Sequence, residues 1–79
     1  MTNLKENITK IHITILGKKR IKNNLNLENN IDCVEFVKNI ILKDETSITK
    51  IGKNYYCQYQ NIKIVINSFS YTIITAHLI

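Results

Sequence analysis

The sequence has no proline and no tryptophan, and only two glycines, two cysteines and two histidines in 79 residues. Cys33 and Cys57 stand too far apart to be half of a zinc or redox motif, and neither has a second cysteine nearby. They read as small core residues. No carboxylate pair stands out and no ligand cluster points to a metal, so neither a metal nor another cofactor is expected. No apolar stretch approaches the length of a membrane-spanning helix. The N-terminal MTNLKENITK lacks the apolar region of a signal peptide, which points to a cytoplasmic protein with reduced thiols. Without linkers, repeats or a low-complexity tail, residues 1–79 read as a single domain near the lower size limit for independent folding.

What the chain does have is isoleucine, lysine and asparagine. Isoleucine dominates an apolar fraction of 44% and favours strands and stiff cores. Eleven basic residues against six acidic ones give a net charge of +5. Lys18, Lys19, Arg20 and Lys22 form the densest basic cluster. That balance favours RNA, DNA or an acidic protein as partner, although a lysine-rich helix face is more often simply solvated.

From Leu4, the apolar positions Ile8, Ile11 and Ile15 recur at helical steps, but Ile21 and Leu25 continue a stripe out of phase with them. The region from about 3 to 25 is therefore helical, with two segments meeting at His12 to Thr14. Thr14 caps the second by accepting from the amide of Leu16 or Gly17. LNLENN, Leu25 to Asn30, reads as a loop, with Asn30 as N-cap of a helix over about 31–43. That helix turns Cys33, Val34, Val37, Ile40 and Ile41 to one side. Beyond Glu45 the period changes to two, predicting strands at about 47–51, 54–59, 62–67 and 71–77 joined by short turns. The expected fold is α+β, with helices covering one face of a four-stranded antiparallel meander.

Alternation then sorts the polar residues. Ile62, Ile64 and Ile66 are expected under the helices, with Lys63, Val65 and Asn67 opposite. In the last strand Thr72, Ile74 and Ala76 take the covered face, leaving Tyr71, Ile73, Thr75 and His77 outward. A histidine beside cations, a tyrosine and a threonine suits metal-free RNA cleavage, which removes a proton from the 2′-hydroxyl and returns one to the 5′-oxygen. His12 is the second candidate, with Arg20 nearby if it opens a helix. In Gly52 to Tyr56, Lys53 at the turn tip suits a phosphate and an outward tyrosine suits base stacking. Packing alone also accounts for tyrosine pairs in strands.

Three segments, IHITILGKKRIKNNLNL, IGKNYYC and IKIVINSFSYTIITAH, together resemble a family of small bacterial and phage proteins known as domain of unknown function 3781. The residues carrying the resemblance are His12, Thr14, Gly17, Arg20, Asn23, Gly52, Lys53, Asn54, Tyr56, Asn67, Tyr71, Thr75 and His77. Ile13 and Ile15 depart from the Thr and Glu expected there. The architecture is also similar to the ribonuclease superfold of barnase, EndoU, colicin and RelE-type toxins, whose active surface is the open sheet face; this is fold-level analogy. It implies an RNA-binding or metal-independent RNA-cleaving protein. His77, His12 and Arg20 would be catalytic, and Lys53, Tyr56, Asn67, Tyr71, Thr75 and Thr14 would bind substrate. The alternative is a non-enzymatic phage or mobile-element inhibitor that docks on a host defence protein or nucleoprotein complex.

Overall fold

The change of apolar stripe near His12 is a real break in the chain. In the computed structural model, which describes residues 3–79, a short helix α1 (Asn3–Glu6) and a 3-10 turn (Ile8–Lys10) precede extended backbone. Helix α2 begins only at Ile15 and runs to Leu25. Met1 and Thr2, at the head of the stretch read as free of a signal peptide, lie outside the described residues. Thr14 caps α2, its hydroxyl oxygen accepting from the Gly17 amide at 3.0 Å. Because residues 11–14 are not helical, Ile15 does not continue the face of Leu4 and Ile11. It is 78% exposed, whereas those two are buried.

Helix α3 (Cys33–Ile41) buries the predicted stripe of Cys33, Val37, Ile40 and Ile41. Its cap is Asp32 and not Asn30: the Asp32 carboxylate accepts from the amides of Val34 at 3.0 Å and Glu35 at 3.2 Å. A full negative charge at the positive end of the helix outcompetes the neutral amide two residues earlier. After α3 the Thr46 hydroxyl donates to the Ile40 carbonyl, tying the helix end to the start of the sheet.

Four antiparallel strands follow in chain order: β1 (Ser47–Ile51), β2 (Asn54–Tyr59), β3 (Ile62–Asn67) and β4 (Ile73–Leu78). The first two connections are two-residue turns, with Gly52 at φ 61 and Gln60 at φ 52 supplying the positive dihedral that tight hairpins need. The helices cover one sheet face. There Leu4, Ile11, Ile21, Leu25, Val37 and Ile41 meet Tyr55, Cys57, Ile64, Ile66, Ile73 and Ala76 in one core. Both cysteines are free and buried. The chain is thus an α+β domain, as its change of period predicts.

The last strand corrects the strict alternation. The β3–β4 ladder shifts between Val65 and Ile66, so that Ile66 pairs with Ile73 while Val65 pairs with Thr75. Ile74 is the extra residue of a bulge. It is 42% exposed, and Ile73 takes its expected place in the core at 2%. The core-side pairing of Ile73 also turns Thr72 away from the helices. Tyr71, at φ 59, packs against the core and not on the open face.

Candidate functional site on the open sheet face

The face opposite the helices carries rows of side chains set by the strand register. Ser47, Gln58, Lys63 and His77 form one row, and Thr49, Tyr56, Val65 and Thr75 the next. Ile51, Asn54 and Asn67 form the third, which Thr72 and His12 extend at the edge of the sheet. Within these rows, Val65, Ile51 and the Tyr56 ring are the apolar members. A shallow groove of about 290 Å³ runs over it, lined by Ser47, Thr49, Ile51, Tyr56, Gln58 and Lys63. The Lys63 ammonium sits 5.6 Å from the centre of the Tyr56 ring. His77 lies directly across from Lys63 on β4.

His12 is held elsewhere. Its backbone bridges to β4, the amide donating to the Tyr71 carbonyl at 3.1 Å and the carbonyl accepting from the Ile73 amide at 2.8 Å. Its side chain is the end of a polar chain. Nδ1 lies 2.9 Å from the Lys10 carbonyl, and Nε2 lies 2.9 Å from the Thr72 hydroxyl. Thr72 Oγ1 lies 2.8 Å from Ser70 Oγ, which is itself 3.2 Å from Asn67 Oδ1. A carbonyl only accepts, so Nδ1 carries the proton it donates to Lys10. In the neutral ring Nε2 then accepts from Thr72. Asn67 is occupied as well, its Oδ1 accepting from the amides of Phe69 and Ser70 at 2.9 Å each. This arrangement pins the 67–72 connection to the N-terminal segment.

The two histidines therefore do not share a site. The rows containing His77 and Thr72 are separated by the distance from Lys63 to Asn67 along β3, roughly 13 Å for four residues. Acid and base acting on one phosphate must both come within hydrogen-bond reach of it. Arg20 belongs to neither place. It is exposed on α2, one turn before Asn24, whose amide donates to the Ala76 carbonyl at 3.2 Å, and so it flanks the outer edge of β4.

Of the other sequence candidates, Tyr56 and Thr75 meet across Val65 in the middle row. Lys53 is exposed at the β1–β2 turn, and its carbonyl accepts from the Ser68 amide at 2.8 Å. Thr14 is spent on capping α2. Tyr71 lies on the helix side, where the Lys10 ammonium is 5.8 Å from its ring centre. Gln58, Thr49 and Ser47 also belong to the open face, although nothing within their own strands marks them as site residues. The signal that finds them is the pair of two-residue turns, which fix β1 against β2 and β2 against β3.

Burial pushes the Cys57 thiol up to about 12, so it lies below the groove as a neutral core group and not as a nucleophile. The Tyr55 phenol is also raised, first by burial and then by the neighbouring Tyr71. Among the described residues, no group of three or more His, Cys, Asp or Glu side chains is placed to hold a metal ion. No helix among them is long and apolar enough to cross a membrane.

Residues 5–77 match the family described as protein of unknown function DUF3781. The chain belongs to this family. No match is found among curated proteins or among solved structures. The DUF3781 match spans both the His12 segment and the His77 strand, so the pinned connection and the open face lie within the family's extent.

Proposed function

We propose that this DUF3781 protein binds single-stranded RNA across the open face of its sheet. The observation that carries the reading is the Lys63–Tyr56 pair at the centre of an uncovered polar surface, with His77 beside it. A cation and an aromatic ring on a shallow groove serve a phosphate and a base respectively, and neither demands a particular sequence. The net charge of +5 adds attraction to any polyanion. Binding is favoured over cleavage because His12 is engaged with Lys10 and Thr72, two rows away from His77. The likeness to RelE-type ribonucleases rests on element order and the open sheet face. The test is fluorescence anisotropy with short labelled RNA in EDTA, followed by a gel of the recovered oligonucleotide. Saturable, salt-sensitive binding with intact RNA supports the reading. Cleavage abolished by His77→Ala would return the catalytic one.

A second reading has its own observation. Ile51, Phe69, Ile15 and Leu16 are 62–78% exposed, and the first two lie at the turn end of the sheet. Such residues suit a protein surface, in line with an inhibitor that docks on a host complex. Retention of one protein through washes that strip nucleic acid, lost on Phe69→Ser, would favour it.

A further inference from the structure

The two edges of the sheet are treated differently. On β4 the outward carbonyl of Tyr71 and amide of Ile73 are taken by His12, the Ala76 carbonyl by the Asn24 side chain, and the strand is bulged at Ile74. These are the devices by which proteins close an edge. On β1 the backbone is left open: the strand is regular over Ser47–Ile51, it has no bulge or proline, it pairs on one side only, and Lys50, opposite Tyr55, is its one charged residue.

Its hydrogen-bonding pattern can be worked out. The two-residue turn makes Ile51 and Asn54 a hydrogen-bonded pair, and alternation gives Thr49 and Ser47 the same orientation toward β2. The amides and carbonyls of Ile48 and Lys50 therefore point out from the edge. Two copies of β1 run antiparallel about a two-fold axis at Thr49 satisfy all of these groups. Ile48 exchanges both bonds with Lys50 of the second copy, Thr49 faces its own counterpart, and Ser47 faces Ile51.

The charges agree with this register. Lys50 meets Ile48 and not another lysine. Asp44 and Glu45, just before the strand, come to the end where Lys53, just after it, lies on the second copy. Residues 44–53 hold two acids and two lysines, so the edge is neutral in a chain of net charge +5. Like charges opposed across the axis would have argued against self-pairing.

We infer that the protein forms a symmetric dimer through β1, joining two sheets into one of eight strands. The groove-lining residues Ser47, Thr49 and Ile51 then lie at the centre, and the grooves of the two copies meet across the axis. The dimer stands independently of what the open face binds.

The test is sedimentation velocity from micromolar to millimolar concentration, together with cysteine cross-linking. Thr49→Cys places two thiols opposite each other in a non-hydrogen-bonded pair, and mild oxidation is expected to give a covalent dimer. Ser47→Cys, facing Ile51, is expected to cross-link far more slowly. The native cysteines are buried and do not compete. Lys50→Pro removes an outward amide without touching the β1–β2 ladder and is expected to leave a folded monomer, with Thr49→Lys as a second variant that opposes like charges. A chain that stays monomeric to millimolar concentration, or that cross-links equally well at positions 47 and 49, overturns the inference.

Discussion

The hydroxyl of Thr72 lies 2.9 Å from Nε2 of His12, joining residues sixty positions apart in the chain. Together with the backbone bridge between the same two residues, it holds the N-terminal segment on the edge of β4. A net hydrogen bond of this kind contributes about 1 kcal/mol. His12→Ala and Thr72→Val are each expected to lower unfolding free energy by about that amount or somewhat more. A double-mutant cycle in urea isolates their coupling, expected at about 1 kcal/mol. RNA affinity stays unchanged in both variants if the pin and the binding face are separate. Coupling near zero, or a loss of binding in His12→Ala with stability intact, would reassign His12 to the ligand.

Tyr56 and Lys63 contribute to binding in different ways, and salt separates them. Stacking on an aromatic side chain is worth about 1–3 kcal/mol per base, so Tyr56→Ala is expected to weaken RNA binding by about fivefold or more with the salt dependence unchanged. Lys63→Gln removes one phosphate contact. It is expected to weaken binding less at high salt than at low salt, and to reduce the slope of log affinity against log salt by about one. Thr14→Ala and Tyr71→Phe, which alter residues away from the open face, should leave affinity as it is. Equal losses in all four variants would point to unfolding in place of recognition.

The Cys57 thiol gives the stability of the fold an alkaline limit. Its folded value of about 12 lies above its ordinary 9.0 because the neutral group is buried. Below pH 9 both folded and unfolded chains keep the proton, and this group adds no pH dependence. Between 9 and 12 the unfolded thiol ionises while the folded one does not, so stability falls by about 1.4 kcal/mol per pH unit. Tyr55, also raised, adds to the loss at the upper end of this window. Urea midpoints should therefore drop between pH 8 and pH 10.5, and the drop should be shallower in Cys57→Ala. An equal drop in the two proteins would place its origin elsewhere.

Periodicity made most of this legible. The stripe of Cys33, Val37, Ile40 and Ile41 and the alternation of Ile62, Ile64 and Ile66 are local signals, and both survive in the structure. Even the break before Ile15 shows as a loss of phase. What escaped depends on pairing between distant segments. A bulge at Ile74 cannot be read from β4 alone, because the sequence YTIITAH alternates acceptably on either face. It takes the register of β3 to decide between Ile73 and Ile74. The same holds for the site: His12 has no local feature that distinguishes a residue bound to Thr72 from one facing a phosphate. Lys63 and Tyr56 were visible separately, and only the β2–β3 ladder brings them together.

Ser68 offers a prediction of the opposite sign from most. It opens the connection between β3 and β4, and its amide donates to the Lys53 carbonyl at 2.8 Å. Its hydroxyl, however, is buried and has no hydrogen-bond partner. An unpaired buried hydroxyl costs about 1 kcal/mol or more, because it gives up water and gains nothing in return. Ser68→Ala keeps the backbone bond and the φ and ψ of the site, since alanine adopts the same backbone region. It should therefore raise unfolding free energy by about 1 kcal/mol, read as a higher urea midpoint at unchanged slope. Ser68→Val tests whether there is room, and is expected to lose that gain to crowding. A lower midpoint for Ser68→Ala would show that the hydroxyl is bonded in solution, through an ordered water bridging the two turn tips.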